Sequence, residues 1–199
     1  SNCEPPLDDR QFAVIKDLLD HTMENDMTDT THYKLNIDIK KFSIAHPRDQ
    51  QMLREQCVTN VCSFLRKYRR LTHVDLSFVP LDNRNEADVG AALVQLKDLE
   101  ELTLRGCKIS PNGFQHIVQV FTNTPSRLTT LVLEHNNLST KSLADICAVL
   151  ESDSCSLTAL NIGFNRVPNL DRLVDTLRKL NANTVGVNRS RLLSLDVSG

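Results

Sequence analysis

The 199-residue sequence predicts an α/β fold, a right-handed solenoid with parallel strands on its concave side and helices on its convex side. One apolar pattern recurs at intervals of 28, 29, 29 and 35 residues, with copies that begin at Leu71, Leu99, Leu128, Leu157 and Leu192. Within each copy the apolar spacing changes from two residues to the three or four typical of a helix. Such repeats bury their apolar faces by stacking on one another, so one elongated domain is expected.

The clearest copy runs from Leu128 to Leu138. Leu131 and Leu133 are two residues apart, so both point to the same side of an extended strand. Asn136 follows where the backbone leaves the strand, and its amide group can pair with peptide groups that a turn leaves unsatisfied. The copy therefore predicts a buried strand followed by a turn.

A helix is predicted after each strand, from apolar residues at helical spacing. The buried stripes of the four helices are predicted to be Val89, Leu93 and Leu96; Phe114, Ile117, Val118 and Phe121; Leu143, Ile146, Cys147 and Leu150; and Leu173, Val174, Leu177 and Leu180. Ser110 and Pro111 provide a cap and a first residue for the second of these helices.

The phrase LxxLxLxx(N/C)x(L/I), repeated every 28–29 residues with a helix in each repeat, resembles the ribonuclease-inhibitor-like class of leucine-rich repeats over roughly residues 71–180. That class includes ribonuclease inhibitor, the Ran GTPase-activating protein, tropomodulin, CARMIL-type actin regulators and the sensor arrays of nucleotide-binding receptors. The resemblance implies a solenoid that binds proteins. Val79 departs from the pattern by replacing the Asn or Cys of the first repeat, which predicts a less regular turn there.

These boundaries divide the chain into two parts, a cap and an array of repeats. Residues 1–70 form an N-terminal cap, with a helix from Asp8 to about Glu24, a strand within 35–44 and a long helix from about Asp49 to Tyr68. Residues 71–199 hold four full repeats and a truncated fifth, which predicts a piece of a longer protein.

The register of the cap strand has two alternatives. Either Leu35 and Ile37 or Ile37 and Ile39 fill the two inward positions, and each choice leaves one repeat position wrongly filled.

Composition and charge argue against several classes of function. Lys and Arg number 23 against 25 Asp and Glu, so the global positive charge typical of nucleic-acid binding is lacking. The first thirty residues hold no apolar signal sequence, and no segment is long enough to span a membrane, which favours a cytoplasmic protein. The six cysteines form no CxxC pair, so reduced thiols without zinc or another cofactor are expected.

The predicted binding surface is the concave face, where outward residues of neighbouring strands align. Phe78 and Phe164 are its candidate anchors, because exposed aromatic rings are common at interfaces; the alternative is that they pack against the turns. Arg105 beside Glu134 is interpreted as a cross-strand ion pair. The protein-binding residues are predicted to be His73, Asp75, Phe78, Glu101, Arg105, Val132, Glu134, His135, Asn161 and Phe164.

The cations Arg66, Lys67, Arg69 and Arg70 form the one concentrated charge. They could meet an acidic partner, a phosphate backbone or a membrane inositide, but cations are also favoured at the C-terminus of any helix. We favour the second interpretation.

Catalytic motifs are lacking: the sequence holds no Gly-rich phosphate loop, GxSxG or HExxH, and His73 with Asp75 is only half of an acid–base site. The function predicted is a non-catalytic protein-interaction scaffold. The alternatives are an actin-regulator-like scaffold and a GTPase-activating regulator resembling the Ran GTPase-activating protein. The second alternative would need an exposed donor in the loops after the strands, where the candidates are Arg84, Lys108, Asn112, Asn137, Lys141 and Arg166.

Overall fold

The computed structural model describes residues 8, 10, 13, 32–34, 47–81, 85–122, 126–182 and 192–199. Strands and helices alternate along these ranges. In chain order they are β1 (His32–Lys34), α1 (Pro47–Lys67), β2 (His73–Asp75), α2 (Glu86–Leu93), β3 (Glu101–Thr103), α3 (Phe114–Thr122), β4 (Thr130–Val132), α4 (Thr140–Leu150), β5 (Ala159–Asn161), α5 (Asp171–Ala182) and β6 (Ser194–Asp196).

The six described strands form one parallel sheet in chain order. Its register aligns the middle residues Val74, Leu102, Leu131, Leu160 and Leu195, in agreement with the repeat intervals. These facts confirm the prediction of an α/β chain with a parallel sheet and a helix between successive strands. The arrangement is compatible with a leucine-rich-repeat solenoid.

Each described strand is three residues long. In three of them the side chain of the last residue folds back onto the chain. Asp75, Asn161 and Asp196 each accept, through Oδ1, a hydrogen bond from the backbone N–H two residues later. This local pairing turns the backbone out of the extended conformation, as Asp and Asn side chains commonly do.

The core lies between the sheet and the helices, and the helical stripes enter it with two corrections. In α3 the buried position is Val120, and Val118 is only partly buried. In α5 Val174 is 41% exposed, and Thr176 is buried in its place and donates a hydrogen bond to Glu151. In both helices the other predicted stripe residues are buried or pack against the core, so each error concerns one residue at the edge of the buried face.

The structure also changes the interpretation of the cap. Strand β1 lies at His32–Lys34 and pairs with β2, which aligns Tyr33 with Val74. Sequence analysis placed this strand within 35–44 and left two registers open, whereas the described strand lies earlier in the chain, at 32–34. Residues 35–46, and nearly all of the predicted first helix, lie outside the described residues. Helix α1 covers the predicted long helix.

A buried amide joins neighbouring repeats, as the sequence predicts for Asn136. The Nδ2 group of Asn136 donates to the carbonyl oxygens of Leu104 and Leu133, and its Oδ1 accepts from the N–H of Ile109. Asn165 repeats the arrangement one repeat later. Buried peptide groups at the turns are thus satisfied by side chains.

Cysteine fills the same place in the preceding repeat. The Sγ of Cys107 lies 3.0 Å from the carbonyl oxygen of Leu76 and donates to it. Val79 has no polar side-chain atom for this role, and its own N–H donates to the oxygen of Leu76. We call the four positions Val79, Cys107, Asn136 and Asn165 the inner row.

One buried carboxylate braces two repeats on the helical side. Glu86, the first residue of α2, is 2% exposed and accepts hydrogen bonds from both the N–H and the hydroxyl of Ser110. The carboxylate also fills the space beside Gly113, where any Cβ would collide with it. Ser110 Oγ in turn accepts from the N–H of Gly113, just before α3. The turn that leads into α3 is therefore built around a side chain of the preceding repeat.

Candidate functional site

The candidate site lies where the strands end. The residue immediately before each member of the inner row has a left-handed backbone, and Gly199, in the same column of the last repeat, also has a positive φ. These positions have φ values of 64° at Phe78, 63° at Gly106, 56° at His135, 54° at Phe164 and 133° at Gly199. We call these five positions the edge row. Outside this column, Lys108 has a φ of 61°.

Backbone hydrogen bonds show that the edge row is one column of the repeat. The N–H of Phe78 donates to the oxygen of Arg105, and the N–H of Gly106 donates to the oxygen of Glu134. Equivalent bonds continue from His135 and Phe164 to the next repeat. The repeat geometry therefore imposes the same left-handed conformation at Phe78, Gly106, His135 and Phe164. Glycine adopts it freely, whereas other residues lose roughly 1–2 kcal/mol.

Phe78 stands on the surface of the next repeat. Its side chain is 56% exposed, and its ring lies over Gly106, where an added Cβ would be only 2.6 Å from Cδ1 of the ring. The guanidinium carbon of Arg105 is 5.8 Å from the ring centroid, within the range of a cation–π contact. Both sequence alternatives thus describe part of Phe78: the ring touches the neighbouring turn, and more than half of it faces solvent.

Phe164 is 51% exposed and stacks on His135 of the preceding repeat. The two ring centroids are 4.4 Å apart and the ring planes differ by 12°. The edge row therefore presents two phenylalanine rings and an imidazole at the same edge of the sheet, next to the ends of their strands.

Glu134 organises the charges beside these rings. Its Oε1 atom is 3.4 Å from Nη2 of Arg105 and 3.3 Å from Nε2 of His135. The predicted cross-strand ion pair between Arg105 and Glu134 is present. Glu134 is the more buried partner, so the carboxylate fixes the position of the more exposed guanidinium and imidazole.

The remaining predicted residues lie on the strands themselves, on the face away from the core. His73 and Glu101 align across β2 and β3, with Nε2 and Oε1 3.4 Å apart. Asp75 and Asn161 hold the turns at the strand ends, a structural role that the sequence analysis did not assign to them. Val132 lies half-buried between Thr103 and Asn161 in the neighbouring strands.

The structure thus gathers the ten predicted residues into one sheet face and its edge. Sequence analysis missed the contribution of Gly106, whose missing side chain makes room for Phe78. The signal was present, because Gly106 and Gly199 occupy the same column as the two phenylalanines. Glycine recurring in a column of a repeat indicates a backbone conformation that ordinary residues avoid.

The residues considered for catalysis have other contacts. His73 Nδ1 is 2.8 Å from the hydroxyl of Thr72, while Asp75 accepts hydrogen bonds from the N–H and hydroxyl of Ser77. Of the loop donors considered for a GTPase regulator, Arg84 lies outside the described residues. The exposed members of that group are Lys108, Asn112, Asn137, Lys141 and Arg166.

The predicted cationic run lies exposed at the end of α1. Arg69 donates from Nε to the carbonyl oxygen of Arg66, and Lys67 lies over the ring of Tyr68 at 5.1 Å. The bond from Arg69 satisfies a backbone carbonyl near the helix end, which is a structural use of the charge.

The five described cysteines are buried and have free thiols. Burial raises the pKa of Cys57 to about 12 and that of Cys62 to about 11, and it raises the pKa of Cys107 further. These thiols therefore stay protonated at neutral pH and are poor nucleophiles. In the described part of the chain, no group of three or more His, Cys, Asp or Glu could hold a metal ion.

Of the helices described, none combines the length and the apolar character that crossing a membrane requires. No protein-family model matches the chain. Over 113 residues, however, the chain is 30% identical to NACHT, LRR and PYD domains-containing protein 4E of Mus musculus. This similarity points to leucine-rich repeats. The matched region is 56% of this chain, and the chain covers 11% of that protein's length.

Proposed function

We propose that the chain is a non-catalytic protein-interaction module, a leucine-rich-repeat solenoid of the ribonuclease-inhibitor-like class that binds a partner protein through its concave face. The parallel sheet, the in-register repeats and the similarity to a mouse protein with leucine-rich repeats support this proposal. A parallel sheet of stacked repeats is a stiff frame, so side chains on its free face need little ordering when a partner binds.

The exposure of Phe78 and Phe164 in left-handed conformation carries the proposal. Each ring leaves apolar area in water, and each backbone bears a conformational strain that glycine would avoid. Neither feature benefits the stability of the free chain. Strained residues that are retained at a surface are characteristic of binding sites, and aromatic side chains are the commonest interface anchors.

The surrounding residues suit the rim of an interface. Glu101 and Arg105 are exposed, Arg105 beside the ring of Phe78 and Glu101 beside His73, while Val132 adds a small apolar contact between the strands. Polar groups of this kind fix the orientation of a partner and add little affinity individually. We propose the ten residues from His73 to Phe164 named above as the binding surface, with Phe78 and Phe164 as its anchors.

A paired capture experiment tests the surface. The wild-type chain, the double variant Phe78→Ala/Phe164→Ala and the control Met52→Ala/Val174→Ala are immobilised and exposed to lysate, and bound proteins are identified by mass spectrometry. The control removes two exposed apolar side chains on the helices α1 and α5. We expect at least one protein to be retained by the wild type and the control but lost from the double variant.

A partner found in this way is then purified and its affinity measured by calorimetry. Loss of one anchor should weaken binding by about tenfold or more, because interface anchors contribute about 2 kcal/mol or more. If all three chains retain the same proteins, the concave-face proposal is wrong. Circular dichroism of each variant checks that the fold is intact.

The GTPase-regulator alternative has its own measurement. Phosphate release is followed from a panel of small GTPases with and without the chain. A large acceleration that is abolished by changing one loop residue, such as Lys108 or Asn112, would replace the scaffold proposal. Binding without acceleration would agree with it.

A further inference from the structure

The repeat equivalences define what each ring of the edge row meets in the next repeat. The N–H of Phe78 donates to the oxygen of Arg105, and the N–H of Phe164 donates to the oxygen of Ser198. Ser198 therefore occupies, relative to Phe164, the position in the next repeat that Arg105 occupies relative to Phe78. The two phenylalanines have the same backbone conformation and similar exposure, but they differ in the side chain that the next repeat brings beside them.

At Phe78 that side chain is a cation. The guanidinium of Arg105 lies over the ring and is 3.4 Å from a carboxylate oxygen of Glu134, so it sits between an aromatic face and an anion. Both neighbours favour a positive charge, the ring through its quadrupole and the carboxylate through its charge. A site between an exposed phenylalanine ring and a carboxylate thus already holds a guanidinium in this structure.

At Phe164 the corresponding side chain is the hydroxymethyl group of Ser198, which carries no charge. An anion is nevertheless present nearby in sequence, because Asp196 is exposed at the end of β6 and accepts a hydrogen bond from the N–H of Ser198. That hydrogen bond lowers the pKa of Asp196, so the carboxylate is ionised at neutral pH.

The charge of the sheet face from β2 to β6 has the same sign. Among the described residues that point away from the core on β2 to β6 and at their ends, four carboxylates stand against one guanidinium. The carboxylates are Asp75, Glu101, Glu134 and Asp196, and the guanidinium is that of Arg105. Such a surface attracts cationic partners and repels anionic ones.

We propose that Phe164 is the docking site for an arginine side chain of a basic segment in the partner protein. The partner's guanidinium would take, over the ring of Phe164, the place that Arg105 takes over the ring of Phe78, with Asp196 as the neighbouring anion. This inference rests on the proposed function and narrows it, since it assigns the partner a positively charged contact segment.

The test uses two probe peptides and a variant that preserves the size of the ring. One fluorescein-labelled peptide of about twelve residues alternates arginine with glycine and serine; the other carries citrulline, a neutral isostere, in place of every arginine. Binding to the full chain is measured by fluorescence polarisation at low and at physiological salt. The variants are Phe164→Leu, which keeps apolar bulk but removes the aromatic face, Phe78→Leu and Asp196→Asn.

We expect the wild type to bind the arginine peptide about tenfold more tightly than the citrulline peptide. Phe164→Leu should lose most of that preference, because a cation over an aromatic ring contributes severalfold to more than tenfold in affinity. Phe78→Leu should weaken both peptides by a similar factor and so keep their ratio, since Arg105 already occupies that ring. Equal binding of the two peptides by the wild type, or an unchanged preference in Phe164→Leu, would overturn the proposal.

Two further outcomes separate this inference from its foundation. If Asp196→Asn alone abolishes the preference while Phe164→Leu keeps it, the attraction is general electrostatics and the aromatic site is refuted. If the double variant Phe78→Ala/Phe164→Ala loses a partner that Phe164→Leu binds normally, the docking face is supported and only the arginine site is refuted. If neither variant loses the partner, both the docking face and the arginine site are refuted.

Discussion

The inner row and the edge row are neighbours in sequence and opposites in physical role. Asn136 is buried and its amide completes three or more hydrogen bonds, whereas His135, one residue earlier, is exposed and has a strained backbone. Asn165, which is half-buried and makes the same bonds, and the exposed Phe164 repeat the contrast. Residue type in the inner row is dictated by peptide groups that need partners. In the edge row the backbone alone would be best served by glycine, so any larger residue needs a reason outside the fold.

The largest expected effect lies in the inner row. Asn136→Ala leaves buried peptide groups of two repeats without partners, including the N–H of Ile109 and the oxygen of Leu104. We expect the free energy of unfolding in urea to fall by about 3 kcal/mol or more, since each orphaned buried group costs about 1–3 kcal/mol. The control Asn137→Ala, one residue later and exposed, should stay within about 0.5 kcal/mol of wild type.

Asn136→Cys sharpens this prediction. Because Cys107 donates its thiol to a carbonyl at the equivalent place, a thiol at 136 should restore part of what alanine loses. The expected order of stability is wild type, then the cysteine variant, then the alanine variant. A loss for Asn136→Ala as small as that for Asn137→Ala would mean that the inner row does not hold the repeats together.

A second prediction uses pH on the same row. Burial holds the pKa of Cys107 above the ordinary thiol value of 9.0. Below pH 9 the thiol is protonated in both the folded and the unfolded chain, so its contribution to the free energy of unfolding is fully present. Above pH 9 the unfolded chain releases this proton while the folded chain keeps it, so the free energy of unfolding should decline by about 1.4 kcal/mol per pH unit for this thiol.

Urea denaturation between pH 8 and pH 10.5 measures this decline. Cys107→Ala is less stable at every pH. Above pH 9, however, its free energy of unfolding should fall less steeply with pH, because one buried thiol no longer contributes to the decline. Parallel curves for the wild type and the variant would show that Cys107 ionises normally in the folded chain.

The smallest effect is expected in the edge row. His135→Gly relieves a left-handed backbone strain of roughly 1–2 kcal/mol. The variant also loses the stacking on Phe164, and glycine makes the unfolded chain more flexible; together these two losses are of similar size to the gain. The free energy of unfolding should therefore stay within about 1 kcal/mol of wild type. Asn137→Gly, outside the left-handed residues, has no strain to relieve and should lose about 0.5–1 kcal/mol. A loss above about 2 kcal/mol at position 135 would give the edge row a structural role.

The same contrast explains what the sequence can predict. The strands, the parallel order and the role of Asn136 follow from apolar spacing and from the need to satisfy peptide groups, which are local rules repeated five times. Val174 was misplaced because an apolar residue beside a helical stripe can face solvent without a large loss, and no local rule forbids it. The cap strand was placed too late in the sequence because Tyr33, which aligns with Val74, is not one of the aliphatic residues that mark this position in the other copies.

The candidate site was predictable in its position and not in its geometry. Alignment of the repeats brought Phe78 and Phe164 into one column, and the two glycines of that column already indicated a special backbone. The stacking of His135 on Phe164 depends on side-chain rotation, which repeat spacing does not determine. Partner chemistry depends on such details, and this is why the comparison between Arg105 and Ser198 needed the structure.

The buried side chains of the inner row all reach backwards along the chain. Asn165 bonds to Leu133 and Leu138 of the preceding repeat, and Cys107 bonds to Leu76 in the same direction. A repeat leaving the ribosome therefore finds every partner of its buried amide among residues already synthesised. As far as the inner row is concerned, growth of the sheet can proceed one repeat at a time from the N-terminal side, whereas the carboxylate of Glu86 must wait for Ser110 of the following repeat.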